Sequence, residues 1–121
     1  MNLLNRPSVI VPLGVLSASG EEAVFYAQKK VRIKSAVYAQ NGVISASGVN
    51  YLSFDMKKND VALGNAVDTQ AGLAKGVKLE LLAEELVLEK GDFLVLAITE
   101  TGTFAEGASA ILAMDVEVIG N

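Results

Sequence analysis

The carboxylates are the side chains in this sequence that could best act in catalysis or bind a metal ion, because it contains no His and no Cys. The aspartates are spread widely, and none has the D-x-D-x-D-G spacing of a calcium loop. The adjacent pairs Glu21-Glu22 and Glu84-Glu85 offer acids of the kind that hydrolyse glycosides, but neighbours on a strand point to opposite faces. We therefore expect solvated carboxylates in turns, at Asp55, Asp60, Asp68, Asp92 and Asp115.

Other reagents of catalysis are lacking as well. Without His the sequence has neither the usual general base near neutral pH nor the usual ligand of zinc, copper and non-haem iron. Without Cys it has no thiol nucleophile, thiolate metal site or disulfide. The segment from Gly72 to Gly76 lacks the Lys-Ser/Thr of a phosphate loop, and no His can activate Ser17, Ser19, Ser45 or Ser47. The prediction is no enzyme, no cofactor and no metal site.

Charge and composition restrict the partners. The net charge is −4, and no basic run exceeds two residues, which argues against nucleic acid and against an anionic membrane surface. No apolar stretch is long enough to span a bilayer. With 121 residues, 51% of them hydrophobic, the chain predicts one domain over residues 9–121. Residues 1–8 are expected to form an arm, since Pro12 and Gly14 interrupt the apolar run that a secretory signal would need.

The elements that must position these side chains are strands. Alternation over Val31 to Gln40 predicts a core face with Val31, Ile33, Ser35, Val37 and Ala39. Asn41-Gly42 then predicts a two-residue hairpin. Leu52, Phe54 and Met56 alternate with polar residues, and the segment from Ala108 to Val118 alternates again. About eight short strands with regular turns predict an all-β, antiparallel β-sandwich that is jelly-roll-like. Residues 77–89 fit a strand or a helix, and the neighbouring period-two runs favour a strand.

The segment from Phe93 to Ile98 is apolar at every position, whereas a strand with one solvent face should alternate. Phe93, Val95 and Ala97 fall on one face, and Leu94, Leu96 and Ile98 fall on the other. The second apolar face can be covered by the chain itself, by a ligand or by another copy of the protein. A ligand is the weakest of the three, because no cluster of polar or aromatic groups accompanies the strand.

Several segments resemble the jelly-roll decoration (cement) proteins of tailed bacteriophage capsids. They are Asn50 to Phe54, the loop from Gly72 to Gly76, the turn from Leu88 to Asp92, and Asp115 to Val118. The resemblance implies a structural virion protein, made in the host cytoplasm, that sits on the capsid surface as a homotrimer and stabilises the head by binding the major capsid protein.

Site residues follow from this resemblance. In such proteins an N-terminal arm contacts the capsid, and here its anchors would be Leu3, Leu4 and Arg6. The trimer contact would be formed either by Leu94, Leu96 and Ile98 on one strand or by Ile111 and Ala113 on another.

An alternative is a carbohydrate- or receptor-binding jelly-roll module of a phage fibre or tail tip. It would use the loops Asn65 to Gly76 and Thr101 to Gly107, with Phe104 and Tyr38 as platforms. The 6% aromatic content and the absence of Trp argue against it.

Overall fold

The computed structural model describes residues 8–120, which form ten strands in two antiparallel sheets and no helix. The first sheet contains β1 (Ser8–Val15), β3 (Val31–Gln40), β7 (Leu79–Glu80), β8 (Leu86–Leu88) and β10 (Ser109–Val118). The second sheet contains β2 (Gly20–Tyr26), β4 (Tyr51–Lys58), β5 (Val61–Ala62), β6 (Val67–Asp68) and β9 (Phe93–Thr101). The predicted antiparallel β-sandwich is confirmed.

The strand order is jelly-roll-like. The first sheet runs β1-β10-β3, with β7 and β8 both pairing with β3; the second runs β2-β9-β4, with β5 and β6 both pairing with β4. The short strands thus share two edge positions, which leaves eight positions in two sheets of four. Residues 77–89 are extended, as favoured from the sequence, but residues 81–85 break them into two short strands.

The core lies between the sheets. Leu52, Phe54 and Met56 all face it, as the alternation predicted. Tyr38 of the first sheet packs on Phe54 of the second, with ring centroids 4.7 Å apart. The core face of β10 also follows the predicted alternation, at Ala110, Leu112, Met114 and Val116.

A β-bulge makes β3 change faces halfway along. Val31 and Ile33 are buried as predicted, but Ala36, Tyr38 and Gln40 are buried in the second half. The predicted core face was therefore wrong from Ser35 onward. The cause is a register shift against β10, where Asp115 pairs with Ser35 but Val116 pairs with Ile33. One extra residue in a strand reverses the orientation of every later side chain.

The predicted hairpin at Asn41-Gly42 is also wrong. β3 pairs with β10 rather than with the segment that follows it, and Ile44 makes only an isolated bridge to Leu73. The turn with two consecutive positive-φ residues lies instead at Asn59 (49°) and Asp60 (69°), between β4 and β5. Asn and Asp are the non-glycine residues that best tolerate this conformation.

The long edge strands carry features that oppose pairing with other chains. β1 contains Pro12, which has no amide donor, and its register shifts between Pro12 and Gly14. β2 carries Glu21 and Glu22 and a shift between Ala23 and Phe25. Contacts with a partner are therefore expected to use faces or loops rather than added strands.

Candidate interaction surface on the first sheet

The structure answers the question raised by the apolar strand β9. Leu94, Leu96 and Ile98 point inward and are 0%, 0% and 5% exposed within a single chain. The expectation that these three residues form a subunit contact is corrected, because the opposite sheet already covers them.

Val95, in the outer face of β9, is also covered by the chain itself, whereas Phe93 and Ala97 on the same face are half-buried. Val95 lies between Lys57 of β4 and Ala23 of β2 and is only 5% exposed. The Lys57 ammonium donates a hydrogen bond of 2.8 Å to Glu21, across the sheet from β4 to β2. The aliphatic stem of Lys57 shields apolar surface while its charge remains paired.

The outer face of the first sheet is different, because its two isoleucines, Ile10 and Ile111, are exposed in the described part of the chain. Cross-strand pairing places Pro12, Ile111 and Ala39 in one row. The next row contains Ile10, Ala113 and Val37. We call these six residues the apolar strip. Ile10 is 54% exposed and Ile111 38% exposed.

The strip contains Ile111 and Ala113, the two remaining candidates for the subunit contact. Its other residues were not predicted from the sequence to lie on this surface. Val37 and Ala39 were expected in the core, and the bulge in β3 turns them outward. No residue type in β3 marks the position of that bulge. Ile10 is remote in sequence and reaches the strip only because β1 pairs with β10.

The two ends of the strip differ in chemistry. At the end of the strip near the start of β3, Arg32 contacts Glu117 at 2.8 Å, and Lys34 contacts Glu85 at 3.2 Å. At the other end, near the last residues of β3, a recess of about 650 Å³ lies beside Ile111, with Lys75 on its rim. The strip is therefore an apolar surface bordered by charged groups, the pattern typical of a protein–protein interface.

The expected turn aspartates are only partly found in turns. Asp60 and Asp92 lie in or beside turns and Asp68 ends β6, whereas Asp55 lies within β4 and Asp115 within β10. Asp92 accepts hydrogen bonds from the Glu89 amide and the Asn59 side chain, both at 2.8 Å. The bond from Asn59 lowers the pKa of the Asp92 carboxyl, with a further contribution from the Glu89 amide. Asp68 caps its own turn at the Gln70 amide. Residues 8–120 contain no group of three or more acidic side chains placed to bind a metal ion.

The aromatic platforms of the alternative function are not available. Tyr38 is 0% and Phe104 4% exposed, so neither ring can stack on a sugar. The Tyr38 hydroxyl donates to Gln40 at 2.7 Å, and burial raises the pKa of Tyr38 to about 12. This part of the prediction was wrong, because the loops enclose Phe104 and the bulge turns Tyr38 inward.

The predicted arm anchors Leu3, Leu4 and Arg6 lie outside the described residues. Within those residues, the structure contains no helix that is long and apolar enough to cross a membrane. Neither the models of known protein families nor the curated proteins contain a match to this sequence.

Proposed function

We propose that the protein is a structural subunit that self-associates through the apolar strip and decorates a tailed-phage capsid by binding the major capsid protein. The homotrimer, the absence of catalysis and the location on the virion belong to the same proposal. The observation that carries the self-association is the exposed strip on the first sheet.

The energetics of the strip favour burial by protein. Fully covering an aliphatic side chain contributes roughly 1.5–3 kcal/mol. Ile10 and Ile111 still expose about half and a third of that surface, so covering both contributes on the order of 2 kcal/mol. Val37, Ala39 and Ala113 are already half-buried, which keeps the face flat and suits it to another flat protein surface.

The edge strands support face-to-face rather than edge-to-edge assembly. Pro12 and the glutamates of β2 weaken strand addition, whereas nothing charged interrupts the strip between Ile10 and Ala39. Because the edges oppose open-ended strand addition, association through the apolar strip leads to an oligomer of defined size.

Self-association is tested by light scattering coupled to size-exclusion chromatography at 5–50 micromolar, a range chosen to span typical weak association. The wild type is expected to elute as a trimer. Ile111→Glu places a charge in the strip and should yield a monomer. Val61→Glu is the matched control, because Val61 is 67% exposed on β5, away from the strip.

Two results would contradict the self-association. One is a wild-type monomer at the highest concentration, and the other is an Ile111→Glu variant that remains a trimer. Circular dichroism melts of both variants check that the fold survives, which is expected because both positions are exposed. The capsid role is tested separately, by co-sedimentation of the wild type with capsids of the phage that encodes the chain.

A further inference from the structure

The Asn41-Gly42 pair follows β3 and lies in a bend at the border of the apolar strip. The Asn41 amide donates a hydrogen bond of 2.9 Å to the Ser109 carbonyl, which holds residue 41 beside β10. Val15 pairs with Ser109 from the other side, so these three residues form the outward-facing row next to the one that contains Ile111. A chemical change at Asn41 therefore occurs at the edge of the strip.

Gly42 is required by close packing rather than by the hairpin that the sequence predicted. A Cβ atom at residue 42 would lie 2.9 Å from the Cβ of Ala108, which is closer than side chains pack. The Gln40 side chain also donates to the Gly42 carbonyl, at 3.2 Å. Because residue 42 has no side chain, its backbone nitrogen is open to approach by the side chain of Asn41.

The groups of Asn41 and Gly42 that could react with each other are free of competing bonds. Asn41 is exposed, and within residues 8–120 neither its side-chain amide nor the Gly42 N–H has a hydrogen-bond partner. The other asparagines of this region differ in both respects, because each uses its side chain in a hydrogen bond and none precedes a glycine; they are Asn50, Asn59 and Asn65.

We infer that Asn41 is a site of deamidation, a covalent change whose only co-reactant is water. The Gly42 backbone nitrogen loses its proton to solvent and attacks the side-chain carbonyl carbon of Asn41. The bond from that carbon to the side-chain nitrogen breaks, and the nitrogen takes up a proton and leaves as ammonia. Water then adds to either carbonyl of the resulting cyclic succinimide and opens the ring to aspartate or isoaspartate. The net reaction consumes water, releases ammonia and adds a negative charge.

The new carboxylate would regulate the apolar strip, a consequence that rests on the proposed self-association. Residues 39 and 41 follow one another on the same face, about 7 Å apart, because each residue of a strand advances about 3.3 Å. A second copy that covers Ala39 and Ile111 would have to remove water from the charge at residue 41. Lys75 lines the same recess, but pairing across it requires desolvation of both charges. Association should therefore weaken as the protein ages.

The modification is tested by tandem mass spectrometry of the native full-length protein after incubation in mildly alkaline buffer, beside a urea-unfolded sample. Residue 41 should gain the mass difference between a hydroxyl and an amino group, and the gain should be faster at higher pH because the Gly42 nitrogen must lose a proton. Asn50, Asn59 and Asn65 are internal controls that should stay unchanged in the native protein. A native sample that keeps Asn41 intact, whether or not the unfolded sample reacts, would overturn the inference.

The effect on association is tested by light scattering with Asn41→Asp, which carries the charge of the product from the start. This variant should need roughly tenfold more protein than the wild type to form the oligomer, because one charge is desolvated at the contact. Asn50→Asp is the matched control. It makes the same chemical change at an exposed position before β4 of the second sheet, and its side-chain oxygen can still accept from the Thr103 amide.

The possible failures are distinguishable. A monomeric wild type would contradict both the proposed self-association and its regulation, whereas deamidation is decided by mass spectrometry alone. If the wild type is an oligomer and Asn41→Asp associates equally well, only the regulation falls. The same holds if Asn50→Asp weakens association as much as Asn41→Asp does. Far-ultraviolet circular dichroism spectra of both variants should match that of the wild type, because both positions are exposed.

Discussion

Replacement of Leu96 by Ala tests whether the apolar strand β9 belongs to the core of one chain. Leu96 is 0% exposed and faces the opposite sheet from the centre of β9. Leu→Ala removes three carbons and so lowers the free energy of unfolding by about 2.4 kcal/mol, at roughly 0.8 kcal/mol for each carbon. The cavity that remains adds to this loss. We expect the free energy of unfolding to fall by about 3 kcal/mol.

This loss should be visible as a change in melting temperature. A chain of 121 residues has an unfolding entropy near 0.25 kcal/mol/K. A loss of about 3 kcal/mol therefore lowers the melting temperature by about 12 °C. The control is Val61→Ala, at a 67% exposed position on β5 away from the strip, which should cost under about 1 kcal/mol.

Urea unfolding, followed by circular dichroism at two protein concentrations tenfold apart, separates the two possible positions of Leu96. A core residue gives the same difference between variant and wild type at both concentrations. A residue in a subunit contact gives a difference that depends on concentration, because the loss falls on association. A loss below about 1 kcal/mol, or one that changes with concentration, would refute the assignment of Leu96 to the core.

Three further predictions concern polar groups. Gln40→Leu strips partners from the Tyr38 hydroxyl and two loop carbonyls and should cost about 2–4 kcal/mol in urea unfolding. Stability should fall as pH rises from 10 to 12, because the unfolded chain releases the Tyr38 proton near 10 and the folded chain only near 12; Tyr38→Phe should flatten that part of the profile. The stability that depends on the Asp92 carboxylate is present above its ordinary pKa of 3.8 and is lost as pH falls through the lowered value. In the Asp92→Asn variant the free energy of unfolding should therefore fall less steeply as the pH is lowered through this range. Asn59→Ala, which removes the main cause of the shift, should have the same effect.

Local pattern was sufficient for the fold class. Leu52, Phe54 and Met56 alternate without interruption, and each of them lies in the core. Alternation of this kind reports the orientation of side chains directly, since successive residues of a strand point to opposite faces. The turn from Leu88 to Asp92 was likewise readable, because its Gly91 adopts a φ of 94° that favours glycine.

The candidate interaction surface was only partly readable. Ile111 and Ala113 were predicted as one of the two possible trimer contacts, and they lie in the strip. Leu94, Leu96 and Ile98 were predicted as the other possible contact and lie in the core. Apolar composition alone cannot separate these cases, because it does not tell which sheet face the other sheet will cover.

The sequence by itself determined that the chain forms strands, that these strands pack as a sandwich, and that histidine and thiol chemistry are outside its means. Those properties depend on residue type and on a period of two, both of which are local. Only the tertiary structure decided that Val37 turns outward and Tyr38 inward, and that Ile10 joins Ile111 and Ala113 on one face. These outcomes depend on one inserted residue in β3 and on pairings between strands distant in sequence, and no local pattern records either of them.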